Sequence, residues 1–272
     1  MLETMRERAG RALAGTPVAA PLEYGIDTLY GVLHPSLLVS GSTGEEQERS
    51  LPGDDLVPDP MWIATRAETI AAPAEHVWPF LAQMGWGRGG YYAYSFFDPR
   101  HTTDARGIVP RLQDLRAGDV LLDGPGCDET KGAWKVAAIE PGETLVLHSL
   151  RDPISGRELD PEDRGNRWID CSWAFALEEE TPTRTRVLVR TRIASAPTYA
   201  RLALRLAFGP GDTVMQRTML RGIKERAERA AARAKTKRGP AKRRTATRAA
   251  PRPRASRPAR TSTARAKGEA EG

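Results

Sequence analysis

Across residues 167–177, and again across 183–193, apolar and polar side chains alternate one by one. In the first stretch Ile169, Cys171, Trp173, Phe175 and Leu177 fall on one side, with Trp168, Asp170 and Ser172 on the other. In the second, Val187, Val189 and Ile193 oppose Arg184, Arg186, Arg190 and Arg192. A period of two belongs to extended strands, whose side chains leave alternately on opposite faces. One apolar and one charged face predict antiparallel sheet with a wet side. A turn over 179–183 joins the two strands.

The same chain ends in a segment that cannot take part in such a core. From Ala230 to Gly272 there are fourteen Lys or Arg and two Glu, a net of +12, while the 272-residue chain is +6 overall, which leaves residues 1–229 at −6. The basic balance is therefore a property of the tail, and the part that folds is acidic. Residues 235–272, built mostly from Ala, Arg, Lys, Pro and Thr with no large apolar side chain, are expected to be disordered. Without aromatic residues the tail is not suited to reading bases; over residues 235–267 it offers weak, salt-dependent contact with DNA or anionic lipid. The alternative is a solvated extension without a partner. No run approaches the ~20 apolar residues of a membrane span. Glu3 and Glu7 among the first arginines are unlike a secretory leader. Cys127 and Cys171 stand far apart without metal-type spacing. Together these predict a reducing, cytoplasmic setting.

Along the remaining chain, residues 1–60 read as a partly ordered N-terminal extension: a short helix within 1–14, then a Gly/Ser/Glu/Asp/Pro-rich loop over 40–60 lying on the body. A strand is predicted over 62–71. Pro73 then opens a helix whose Val77, Phe80, Leu81 and Met84 recur at one-face spacing, with Pro79 introducing a kink or irregular turn. An aromatic group follows: Tyr91, Tyr92, Tyr94, Phe96 and Phe97. Strands are predicted over 119–122, 132–139 and 144–150, the last two joined by Glu140-Pro141-Gly142-Glu143, where Pro fixes φ and Gly supplies φ > 0. Residues 151–164 form a polar loop. Asp212 is the predicted N-cap of the longest helix, with Met215, Met219, Gly222, Ile223, Arg226 and Ala230 along one stripe.

Strand, helix, a run of antiparallel strands and one long C-terminal helix is an α+β order. Several segments resemble the SRPBCC (START-like, polyketide cyclase/dehydrase-like) helix-grip superfamily. They are Ile70-Ala71-Ala72-Pro73 through Val77-Trp78-Pro79, Gly87-Arg88-Gly89-Gly90-Tyr91-Tyr92, and Val109-Pro110-Arg111-Leu112-Gln113-Asp114-Leu115 with Gly118-Asp119. Trp173–Leu177 and Met215 to Lys224 resemble its closing strand and helix. The resemblance implies a helix-grip domain over 61–234: a curved antiparallel sheet wrapped around a long C-terminal helix, with an apolar cavity between them. It implies that a small apolar, aromatic or lipid-like ligand binds there. The expected lining is Trp134, Val136, Leu145, Leu147, Cys171, Trp173, Val189, Met215 and Met219, with Tyr91, Tyr92 and Tyr94 near the mouth and Arg66 as a polar contact. The competing reading takes each of these residues as ordinary core.

The superfamily also contains cyclases and dehydratases, so an enzyme of that kind is a second reading. Its candidate groups are Glu68, Tyr91, Tyr94 and His148, with Arg66. Glu68 stands where such proteins carry an aliphatic residue, and a buried carboxylate there would be a general base with a raised pKa. The competing reading leaves Glu68 and Arg66 both wet at the strand end. No metal site, cofactor motif, nucleophile elbow or phosphate loop is present in the sequence.

Overall fold

The computed structural model describes residues 39–93, 104–197 and 201–238, with backbone alone for 201–210 and 237–238. The predicted N-terminal helix, the residues Tyr94, Phe96 and Phe97, and nearly all of the basic tail lie outside the described residues.

Six strands form one antiparallel sheet: β1 (Trp62–Ile70), β2 (Val120–Leu122), β3 (Ala133–Glu140), β4 (Thr144–Arg151), β5 (Trp168–Thr181) and β6 (Arg184–Ala196). Their order is β1-β6-β5-β4-β3-β2. Register shifts interrupt β3 between Val136 and Ala138 and β5 between Glu179 and Thr181; such bulges bend a strand and sharpen its twist. Among the described residues three α-helices accompany the sheet: α1 (Gly44–Glu48), α2 (Ala74–Ala82) and the long C-terminal α3 (Arg201–Arg238). The result is α+β, a curved sheet closed over by its last helix in the helix-grip manner. Among the described residues no helix is long and apolar enough to cross a membrane.

The apolar sides of β5 and β6 join β1, β3 and β4 in one core with Val77, Phe80 and Leu81 of α2 and Met219, Ile223, Ala227 and Ala231 of α3. Gly222 sets how closely α3 approaches the loop after α2: a Cβ there would stand 2.3 Å from the Tyr92 carbonyl oxygen and 2.8 Å from its Cβ. The glycine-rich turn and the Gln113 motif also have a structural use. Arg88 donates from Nε to Met84 O and from Nη2 to Ala82 O and Leu112 O, closing the C-terminal end of α2, where a cation suits the helix dipole. Gln113 Nε2 donates to Gln83 Oε1 and to the Val109 and Pro79 carbonyls. Pro73 is the N-cap of α2 rather than its first residue, and Pro79 is accommodated inside the helix.

Two sequence expectations are corrected here. Helix α3 begins at Arg201, not Asp212, and its backbone continues through Gly209-Pro210-Gly211. The preceding Leu/Ala/Arg run is strongly helix-forming, and the Asp212 carboxylate is engaged by Arg66 instead. Much of the convex side over β1 and β6 is not wet, because residues 39–60 cover it. Arg190 is 3% exposed and directs all five N–H groups at acceptors: Thr65 Oγ1, the Arg49, Glu46 and Gln47 carbonyls, and Asp54 Oδ2. Arg186 grips Glu46 bidentately, with Nε and Nη2 each 2.8 Å from a carboxylate oxygen. Arg192 donates to Val57 O. Leu51 joins Ala67, Ala176 and Leu188 in a small second core beneath this cover. Of the four arginines, Arg184 alone remains exposed.

Candidate functional site on the concave face

The concave positions follow from register. Trp173 of β5 lies opposite Leu147 of β4 on one side and Thr191 of β6 on the other. Val189 lies opposite Arg66 of β1, and Val136 of β3 opposite Leu147. Trp134, Val136, Leu147, Cys171, Trp173, Val189 and Met219 therefore meet in one buried cluster. Met215 is half-buried at its border. The buried stripe of α3 actually runs through Thr213, Gln216, Met219, Leu220, Ile223, Ala227 and Ala231, so it is rotated slightly from the predicted one and leaves Arg226 and Ala230 at its flank.

Aromatic rings fill the middle of this face. The Trp173 ring centroid is 5.9 Å from that of Tyr91 in a stacked arrangement, 5.5 Å from Trp134 and 5.0 Å from Phe175, separations at which aromatic pairs attract. Tyr91 donates its hydroxyl to Leu122 O at 2.9 Å, and burial raises its pKa well above the usual phenol value. Burial likewise pushes the Cys171 thiol up to about 12, which removes it as a nucleophile near neutrality. Both cysteines are free thiols.

Beside the rings lies a polar group that links β1, β6 and α3. Arg66 is completely buried, so the reading that left it in water does not hold. Its Nη2 is 2.9 Å from Asp212 Oδ2 and donates to Thr213 Oγ1 at 3.1 Å. Gln216 Nε2 donates to Thr191 Oγ1 at 2.6 Å and to Asp212 Oδ1 at 2.5 Å. The deeply buried atoms without a hydrogen-bond partner include the donor Trp173 Nε1 and the acceptor Gln216 Oε1. Both belong to the concave face: Gln216 holds Thr191, the cross-strand neighbour of Trp173. Of this polar set the sequence reading found only Arg66. Thr191 stood in the apolar register of β6, and Asp212, Gln216 and Met219 share one helix face; those positions carried the signal.

The other candidates lie apart. Glu68 sits at the rim, about one-third exposed, with its carboxylate bonded to Lys224 Nζ; it lines an open groove between β1 and α3 with Ser40, Gly41 and Arg221. His148 is on the convex face, its Nε2 2.7 Å from Asp170 Oδ1. Glu68, Tyr91 and His148 thus do not converge. Among the described residues no three His, Cys, Asp or Glu side chains are grouped as metal ligands would be.

No family model matches the chain, and no curated protein matches it. Solved structures do. Protein Ms6760 from Mycobacterium smegmatis is 16% identical with a TM-score of 0.34, over 63% of this chain and 90% of that one. Protein NE0264 from Nitrosomonas europaea is 12% identical with a TM-score of 0.37, over 62% and 96%. A point mutant of Thalictrum norcoclaurine synthase, in complex with a transition-state analogue, is 10% identical with a TM-score of 0.35, over 62% and 95%. Likenesses of this size transfer no residue role.

Proposed function

We propose that this chain binds a small, largely apolar molecule bearing a hydroxyl group, held between the concave face and α3, without carrying out chemistry on it. The observation that carries the reading is the pair of orphaned atoms on the concave face, the donor Trp173 Nε1 and the acceptor Gln216 Oε1, with Trp173 set among aromatic rings. A buried polar atom without a partner costs about 1–3 kcal/mol, and such atoms are rare in native interiors. A hydroxyl both accepts and donates, so it is able to answer either Trp173 Nε1 or Gln216 Oε1. The rings around Trp173 supply the contact area that a flat apolar body needs. The helix-grip resemblance in the sequence supports the same place. Catalysis by Glu68 has no such support, since its carboxylate is at the rim and engaged by Lys224.

The test is calorimetric or fluorescence titration with 2-naphthol and, as control, naphthalene. Trp173→Phe keeps an aromatic ring and removes the N–H. One hydrogen bond is worth about 0.5–1.5 kcal/mol, so the 2-naphthol Kd should rise about two- to tenfold in the variant while that of naphthalene stays unchanged. Absence of saturable binding to the wild-type protein, or equal effects on both probes, would refute the reading.

A further inference from the structure

On the opposite side of the sheet, independent of the concave face, a recess of about 190 Å³ opens between β3, β4, the turn before β3 and the 151–167 loop. A void of about 150 Å³ is enough to admit benzene. We propose that this recess is a second binding site, for a small carboxylate with a compact apolar body.

The floor is formed by Lys135 and His148, which lie directly opposite each other in register on the convex face. His148 is oriented by Asp170, whose other oxygen is 3.6 Å from Arg164. With Nε2 directed at Asp170, Nδ1 is left without a protein hydrogen bond among the described residues. A carboxylate on this floor meets the Lys135 ammonium beside the His148 ring. Leu150, Leu159 and Pro161 line the walls and suit an apolar body. Lys135 is presently paired with Glu158, both about half exposed. Exposed pairs contribute about 0–1 kcal/mol, so exchanging Glu158 for a ligand carboxylate costs little. Arg151, which also borders the recess, is already committed to Asp123 and lies over the Trp134 ring.

The walls are knitted in place. Gly132 N donates to Gly156 O, Glu158 N to Thr130 O, and Leu159 N to Leu150 O. Asp152 fixes the loop by accepting from the Ile154 and Ser155 amides and from Arg167 Nε; the Ser155 amide and Arg167 hold its carboxyl far below the usual range. A recess formed in advance loses less entropy on binding than one that must be assembled.

The experiment uses the full chain, ¹⁵N-labelled, titrated separately with benzoate, benzamide and inorganic phosphate. Benzoate is expected to give saturable shifts in the amides of residues 129–133 and 156–159 while the Trp173 indole resonance stays in place. Benzamide should bind at least tenfold more weakly. Lys135→Met, at a half-exposed side chain whose loss leaves the rest of the spectrum unchanged, should weaken benzoate at least tenfold. The proposal is overturned if benzoate gives no saturable shift, if its shifts centre on Trp173, if phosphate binds as tightly as benzoate, or if Lys135→Met binds benzoate like the wild type.

Discussion

Replacing Arg190 by methionine should come near to unfolding the protein, although Arg190 lies on the side of the sheet away from the main core. The side chain makes five hydrogen bonds to residues on three stretches of chain, and one partner is the Asp54 carboxylate at 2.7 Å. Methionine keeps much of the stem volume but leaves Asp54 with the Leu51 amide at 2.9 Å and Arg192 at 3.6 Å. It also strands the Glu46, Gln47 and Arg49 carbonyls beneath the cover. Breaking a buried pair by removing one partner costs about 3–5 kcal/mol, against a total stability of about 5–15 kcal/mol for a domain. For a body of this size that corresponds to roughly 6–20 °C in Tm. Equilibrium urea unfolding of wild type, Arg190→Met, Asp54→Asn and the double variant gives the cycle, and the two sites should couple by more than about 1 kcal/mol. Hydrogen exchange at the Ala67 amide, which donates to Ser40 O, should accelerate in Arg190→Met beyond what the global loss accounts for. A loss below about 1 kcal/mol, or additive single variants, would refute the claim that Arg190 is the latch of the 39–60 segment.

Two further outcomes follow from the same packing. Gly222→Ala gains about 1 kcal/mol of intrinsic helix propensity but places a methyl group 2.3 Å from Tyr92 O; overpacking costs about 1–3 kcal/mol, so denaturation should show net destabilisation, and a more stable variant would contradict the close approach. Glu46 has its pKa lowered from 4.5, chiefly by the Arg186 hydrogen bond. The unfolded chain therefore binds the proton first as pH falls, so this group's stabilisation is present above about pH 4–5 and lost on acidification through the folded value. Glu46→Gln should flatten the acid limb of the stability–pH curve, and an unaltered limb would show that the pairing contributes nothing.

Much of this architecture was legible because burial on one face writes its period into the chain. Strands β5 and β6 were located within a few residues, the Pro141-Gly142 turn was placed correctly, and the face of α2 was read from Val77, Phe80 and Leu81. What alternation does not record is what covers the other face. Arg186, Arg190 and Arg192 read as solvated because their partners, Glu46, Asp54 and the backbone near them, lie about 140 positions away in sequence. The start of α3 was misread for a related reason: Gly-Pro-Gly and Asp212 form a good local stop and cap, but the Arg66 guanidinium across the fold competes for that carboxylate. At the candidate site, an apolar lining could be read by register, whereas the pairing of Gln216 with Thr191 is tertiary. The sheet also separates two candidates that sequence had grouped: Leu147 and His148 are consecutive, so one faces α3 and the other the convex recess.

The polar group at the concave face is hard to explain by stability alone. A buried pair such as Arg66–Asp212 loses about as much hydration as it recovers in attraction, and apolar residues of similar volume often serve as well or better. The partners that would make it self-contained are also incomplete, since Gln216 spends its amide N–H groups on Thr191 and Asp212 and leaves Oε1 unanswered. The orphaned Trp173 N–H lies on the same face, one strand over. Core packing selects for neither atom, whereas a bound hydroxyl would complete either. The arginines of the convex face provide the contrast: every N–H of Arg190 is satisfied within the chain, as expected of a group whose role is to hold the structure. The two faces thus differ in how a central polar side chain is served: Arg190 is completed within the chain, whereas Gln216 is not.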